Sequence, residues 1–203
     1  IAIRTKFLTE YQNAAYAKQY TDFVAKVRAG EQQHSPEFTG LTEAVAKYLF
    51  KLMAYKDEYE VARLYSSPAF LKQIADTFEG DIKLHLNLAP PLFAKKDADG
   101  HLIKQEFGAW ALPAIKTLRH LKFLRGTALD VFGKTEERKM ERALIEDYKR
   151  DIETVVSKLS VGNHVQAVQF ARLPEHIRGF GYVKEKHVAK VKAQWAELMA
   201  KFA

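Results

Sequence analysis

Ile82-Lys83-Leu84-His85-Leu86-Asn87-Leu88 alternates apolar and polar side chains without a break, and this stretch decides the fold class. A period of two belongs to a half-buried strand, whereas the sequence on either side repeats at three and four. Pro90-Pro91 closes the strand. Leu92 to Lys95, the turn Asp97-Ala98-Asp99-Gly100 and Leu102 to Phe107 then read as a hairpin, because Asp-Gly supplies the positive backbone angle that a tight turn needs. The expectation is a small antiparallel sheet of two or three strands between about 82 and 107. Such a sheet is marginal alone in water and must lie on helices.

Upstream, Phe7, Leu8, Tyr11, Ala15, Tyr16, Tyr20, Phe23, Val24 and Val27 recur as one buried helix face, and Gly30 reads as its end. Glu31 to Ser35 with Pro36 reads as a solvated loop. A second helix is expected from Leu41 to about Ala54, with Thr39 or Thr42 as N-cap, and Tyr55 to Tyr65 continues at helical spacing. Ser66-Ser67-Pro68 offers two hydroxyl caps and a first-turn proline to a helix over Ala69 to Phe78, stopped by Gly80. Downstream, helices are expected at about Ala109 to Leu124, Thr135 to Leu159, His164 to Leu173 and Val183 to Phe202, with Pro113 tolerable only in a first turn. These elements make an α+β fold, predominantly α-helical, with about seven helices around one main core. No repeat and no Gly/Pro/Ser-rich linker divides the chain, so 1–203 reads as a single domain.

The 203 residues are 47% apolar and 28% charged, which excludes disorder and collagen and suits an ordinary globular protein. Cysteine is absent, so the chain can supply no disulfide, thiolate nucleophile, zinc-thiolate site or cysteine ligand to an iron-sulfur cluster. Thirty-two Lys and Arg against 25 Asp and Glu give a formal charge of +7, spread along the chain rather than concentrated as in a nucleic-acid binder. No run approaches a membrane span, and no signal-peptide pattern is present, so a soluble, cytoplasmic protein is expected. The chain opens at Ile1 without a Met and runs directly into helical sequence, which reads as a fragment of a longer polypeptide.

Candidate chemistry is sparse. Glu31-Gln32-Gln33-His34 has the Glu-x-x-His spacing of a diiron helix but lacks the second pair and the further glutamates, and it falls in the expected loop. His85, His101, His120, His164, His176 and His187 stand singly, so no metal ligand set is expected. Arg178-Gly179-Phe180-Gly181, followed by a helix bearing Lys184 and Lys186, could offer backbone N–H groups to a phosphate. Lys184 occupies the place of a dinucleotide fingerprint's third glycine, and a tight turn with glycines for close packing is the better account. From Ile115 to Arg125, apolar Ile115, Leu118, Leu121 and Leu124 and basic Lys116, Arg119, Lys122 and Arg125 each step by three; a core stripe flanked by snorkelling cations is preferred to a docking edge for an acidic surface or phosphate. The string Tyr55 to Tyr65 mixes carboxylates and tyrosines without a nucleophile or oxyanion loop, and the stripe Tyr11, Tyr16, Tyr20 and Phe23 reads as core. No catalytic residue is assigned.

Longer strings carry a resemblance. Phe7-Leu8-Thr9-Glu10-Tyr11-Gln12-Asn13-Ala14-Ala15-Tyr16-Ala17, Tyr48 to Tyr65, Leu88-Ala89-Pro90-Pro91-Leu92, Glu106-Phe107-Gly108, Leu124-Arg125-Gly126-Thr127, Glu137 to Ile145 and Leu173 to Gly181 resemble, in this order, the carboxyl-terminal region of the long, fused indolepyruvate ferredoxin oxidoreductases. The resemblance implies a parent enzyme that decarboxylates an aryl 2-oxo acid, joins the acyl group to coenzyme A and reduces ferredoxin, with thiamine diphosphate, magnesium and iron-sulfur clusters held in upstream catalytic domains of a homo-oligomer. This region departs from the catalytic pattern, since Glu79-Gly80-Asp81 does not continue into a thiamine diphosphate motif. It reads as a noncatalytic C-terminal accessory domain that holds no cofactor of its own. The alternative is a binding module for coenzyme A or ferredoxin, with Arg125, Arg178 and Lys184 as anion contacts.

Overall fold

The computed structural model describes residues 1–89 and 103–202, and its first departure from the expected pattern is at Asn13. There the expected opening helix splits into α1 (Ala2–Tyr11) and α2 (Ala14–His34), because the Asn13 side chain accepts from Tyr16 N at 2.8 Å and starts a new helix. Helix α2 runs through Gly30 rather than ending at it. Gly30 lies so close to α7 (Glu136–Ser157) that a Cβ would sit 2.2 Å from Val156 Cγ1, so this glycine permits a helix crossing instead of a stop. Helix α3 (Gly40–Met53) follows, and Asp57, accepting from Glu60 N at 2.9 Å, begins a separate α4 (Glu58–Tyr65). Ser67 and Pro68 open α5 (Pro68–Thr77) as expected, Ser67 Oγ accepting from Phe70 N.

The sheet is antiparallel, pairing β1 (Leu86–Leu88) with β2 (Gln105–Phe107) in the register Leu86 to Phe107. Residues 82–85 alternate but do not pair. In the same register Leu84 would face Ala109, which already belongs to a 3-10 turn, so Ile82 remains 44% exposed. The expected turn at Asp97 to Gly100 and the strand Leu92 to Lys95 lie outside the described residues.

The expected helix over 109–124 is three pieces: a 3-10 turn Ala109–Ala111, α6 (Leu112–Leu118) with Pro113 in its first turn, and a 3-10 segment Arg119–Leu124. Side chains three apart eclipse in a 3-10 helix, which gives the three-residue step of this stretch its physical sense. Helices α8 (His164–Arg172) and α9 (Tyr182–Ala200) flank the 3-10 turn Leu173–His176. Nine α-helices therefore form among the described residues, against about seven expected, and the chain is α+β and mostly helical.

Two compact units result, one made of Ile1–Tyr55 with Glu136–Ala203, the other of Lys56–Thr135. In the first, Tyr20, Leu49, Tyr148, Ile152 and Phe170 are all fully buried at the junction of α2, α3, α7 and α8. Three of its core tyrosines have satisfied hydroxyls: Tyr11 donates to Tyr55 O, Tyr20 to Ala46 O and Tyr148 to Ala171 O, at 2.9, 2.8 and 2.8 Å. Each such bond is worth only about 1 kcal/mol net, but leaving a buried hydroxyl without a partner costs about 1–3 kcal/mol, so the bonds fix which helix faces which. The second unit has a smaller apolar cluster of Ala62, Leu86, Ala111 and Ile115.

Candidate functional site

Four polar clusters stand out, and three of them are closed by the chain itself. At the amino end of α3, Thr39 occupies the cap position but its side chain makes no cap bond. The cap comes from Glu31 on α2, whose carboxylate accepts from Leu41 N and Thr42 N at 2.8 Å each, from Thr42 Oγ1, and from His164 Nε2 at 2.6 Å. Glu31 is 1% exposed, so the expected solvated loop is instead the last turn of α2 with a buried carboxylate. Burial pushes its carboxyl up, but the bonds from His164, Thr42 and Leu41 together outweigh burial and hold it below the ordinary value. Phe38 stacks on the His164 ring at 4.4 Å.

In the unit Lys56–Thr135, Arg125 is buried and pairs bidentately with Asp57, Nε to Oδ2 at 2.6 Å and Nη2 to Oδ1 at 2.9 Å. Asp57 is also the cap of α4. Tyr59 donates to Asp130 at 3.2 Å, and Asp130 accepts from Gly126 N and Gly133 N. Burial, then the Asp130 charge, raise the Tyr59 hydroxyl well above its ordinary value, so it stays a protonated donor. These bonds tie the loop after the 3-10 segment to α4.

At the amino end of α9, Gly181 N donates to Glu137 Oε1 at 2.9 Å. The anion position expected of the Arg178-Gly179-Phe180-Gly181 loop is thus taken by a carboxylate of α7. Beside it Glu141, 3% exposed, accepts from Arg138 at 2.5 Å and from Lys184. Gly179 has φ +85°, and a Cβ there would sit 2.7 Å from Val183 Cγ1, so the turn is one of close packing.

The fourth cluster is open. Around Glu175, in the 3-10 turn after α8, lie Lys47, Lys51, Arg172 and Arg178. The Glu175 carboxylate accepts from Tyr48 Oη at 2.7 Å and from Arg172 Nη2 at 3.4 Å. Lys51 Nζ donates to Pro174 O at 2.7 Å and Glu175 O at 3.1 Å, and Arg178 Nε donates to Glu175 O at 3.3 Å. Burial lowers the Lys51 pKa first, and the charges of Arg178, Lys184 and Lys47 lower it further against the opposing pull of Glu175, so cations outnumber anions here. The Tyr48 hydroxyl, with Arg172 and Lys47, holds the Glu175 carboxyl below its ordinary value. An open cleft of about 430 Å³ adjoins, lined by Gln169, Arg172, Leu173, Glu175, His176 and Leu198.

Of the three anion contacts expected from sequence, Arg125 and Lys184 are therefore engaged with Asp57 and Glu141, and Arg178 alone is exposed, in the open cluster. Lys47, Lys51 and Arg172 were not singled out by the sequence reading. The signal for the first two was present as a Lys-x-x-x-Lys step on one helix face, but their neighbours Arg172 and Arg178 lie far along the chain. His85 pairs with Glu106, His187 Nδ1 donates to Arg178 O, and His101 lies outside the described residues.

The donor set does not fit the cofactors that the resemblance implies for the parent. The chain has no cysteine for a cluster, and among the described residues no group of three or more His, Asp or Glu is placed to hold a metal ion. No helix among the described residues is long and apolar enough to cross a membrane. Residues 1–197 match a family of unknown function (DUF6537). The chain belongs to that family. No curated protein and no solved structure matches it significantly.

Proposed function

We propose that this member of the family is a noncatalytic accessory domain of a longer 2-oxo acid:ferredoxin oxidoreductase of the indolepyruvate type, packing on the catalytic regions of its polypeptide or forming the subunit contact. The observation that carries this reading is the closure of the buried charges: Glu31, Asp57 and Glu141 each end on a helix amino end or on a basic side chain of this same chain. Buried charges used in this way orient helices. Surface for a contact is available in the unit Lys56–Thr135, where Trp110, Phe123 and Leu129 are 74, 64 and 71% exposed. Exposed apolar side chains, where they are contiguous, form association surfaces.

The test deletes these residues from the polypeptide that carries them and assays 2-oxo acid-dependent ferredoxin reduction together with sedimentation. The truncated enzyme is expected to lose assembly or activity, while residues 1–203 alone turn over nothing. Turnover by the isolated chain, or a truncated enzyme that assembles and works like the intact one, removes the proposal.

A second reading, a module that binds an anionic partner such as coenzyme A or ferredoxin, is favoured by the excess of cations around Glu175.

A further inference from the structure

The surface around Glu175 is of a different kind from the other three clusters, since its four cations are exposed and outnumber the one carboxylate set among them. Lys47 and Lys51 come from α3, Arg172 from the end of α8 and Arg178 from the loop after it, all within one compact unit. Glu175 is the one carboxylate among the residues of this cluster and its cleft. Two of the three Lys51 donors are spent on Pro174 O and Glu175 O, and Arg178 spends one of its five on Glu175 O, so both exposed cations are positioned and both have further donors. The adjoining cleft, which Arg172 and Glu175 line, has an apolar part formed by Leu173 and Leu198.

We propose that this surface docks an acidic polypeptide segment of a partner protein, with Lys47, Lys51, Arg172 and Arg178 meeting its carboxylates and an apolar side chain of the segment entering the cleft at Leu173 and Leu198. Glu175 already shows the chemistry in miniature, its carboxylate held by Tyr48 Oη and Arg172. A phosphate ligand is less well served. Tight phosphate sites commonly add convergent backbone N–H groups at a helix amino end to their cations, and at the amino end of α9 Gly181 N is bonded to Glu137. Exposed side-chain cations spread over three elements suit an extended acidic surface, where complementary charge sets the association rate and the salt dependence. The inference deepens the second reading and needs only its anionic partner, not the identity of the parent enzyme.

The experiment titrates the full chain with a fluorescein-labelled acidic peptide, EDELDED, at about 0.05 M and about 0.3 M salt, and in parallel with coenzyme A and with inorganic phosphate. Saturable peptide binding is expected, weakened about tenfold at the higher salt as exposed charges are screened. Lys47→Glu/Arg178→Glu leaves the Lys51 bonds to the backbone intact and should abolish binding at unchanged circular dichroism. Arg28→Glu/Lys158→Glu, the same charge change at exposed positions outside the cluster, should weaken binding less than about threefold. Replacing the central leucine of the peptide by serine should weaken it as well. A silent peptide overturns the inference: if coenzyme A still binds, the second reading survives without it, and if both are silent, both fall. Binding that ignores Lys47→Glu/Arg178→Glu, or phosphate competing as well as the peptide, also overturns it.

Discussion

Glu31 and Asp57 perform one task in two parts of the molecule. Each is a buried carboxylate that caps a helix and is held by a basic side chain brought from far along the chain, His164 in the unit Ile1–Tyr55 with Glu136–Ala203, and Arg125 in the unit Lys56–Thr135. The partners differ in kind. A guanidinium is charged at every ordinary pH and grips both carboxylate oxygens, whereas an imidazole offers one bond here and can be neutral or charged. Asp57 therefore depends on one strong partner, while Glu31 spreads its dependence over two backbone amides, a hydroxyl and a ring. The lesson is that losing the cation should cost more at Asp57 than weakening the carboxylate costs at Glu31.

The chain carries a reporter for each side of that comparison, Trp110 in one unit and Trp195 in the other. The largest effect is expected from Arg125→Ala. It leaves Asp57 buried without its cation and should destabilise the unit Lys56–Thr135 by about 3–5 kcal/mol, read as urea unfolding through Trp110 in a Trp195→Phe background. A loss under about 1 kcal/mol would show that Asp57 does not rely on the pair. Glu31→Gln keeps the shape but turns an amide toward the Leu41 and Thr42 N–H donors, and should cost about 2 kcal/mol, read through Trp195 in a Trp110→Phe background.

The same carboxylate sets a pH dependence. Its folded pKa lies below the ordinary value, so its stabilisation is complete above the ordinary carboxylate range and is lost as pH falls through the lowered folded value. Wild type should thus lose more stability than Glu31→Gln between about pH 7 and about pH 3, and equal losses would remove the linkage.

Smaller is Gly30→Ala. The added methyl meets Val156 Cγ1, and the overpacking of about 1–3 kcal/mol is partly offset by about 1 kcal/mol of helix propensity. Val156→Ala in the same chain should recover the difference in a double-mutant cycle, which additivity would contradict. The smallest effect is expected from Lys18→Ala, whose pair with Asp22 is exposed on both sides and should be worth no more than about 0.5 kcal/mol.

These residues also mark what was legible in the sequence. Period-three-and-four spacing placed most of the helices, and Ser67 with Pro68 placed one start, because those signals are local. Gly30 read as a stop because its reason, Val156, is in another helix. Glu31 read as solvated because its partners stand ten, eleven and 133 positions away. The alternation at Ile82 to Leu88 located a strand but not its length, which β2 limits by giving way to the turn at Ala109. Arg125 and Lys184 looked like available cations since nothing nearby in sequence announces Asp57 or Glu141. The cluster at Glu175 was half visible, in Arg178 and in the step from Lys47 to Lys51, and needed the fold to join the halves.

One arrangement has a consequence for biosynthesis. Gly30 meets Val156, yet the whole stretch Lys56–Thr135 is made between the two halves they belong to. At ~5–20 residues per second, α2 and α3 leave the ribosome roughly 4 to 16 s before α7 begins to appear. Through that interval their apolar faces stand without the helix that will cover them, and a chaperone meeting the nascent chain would find its binding surface there.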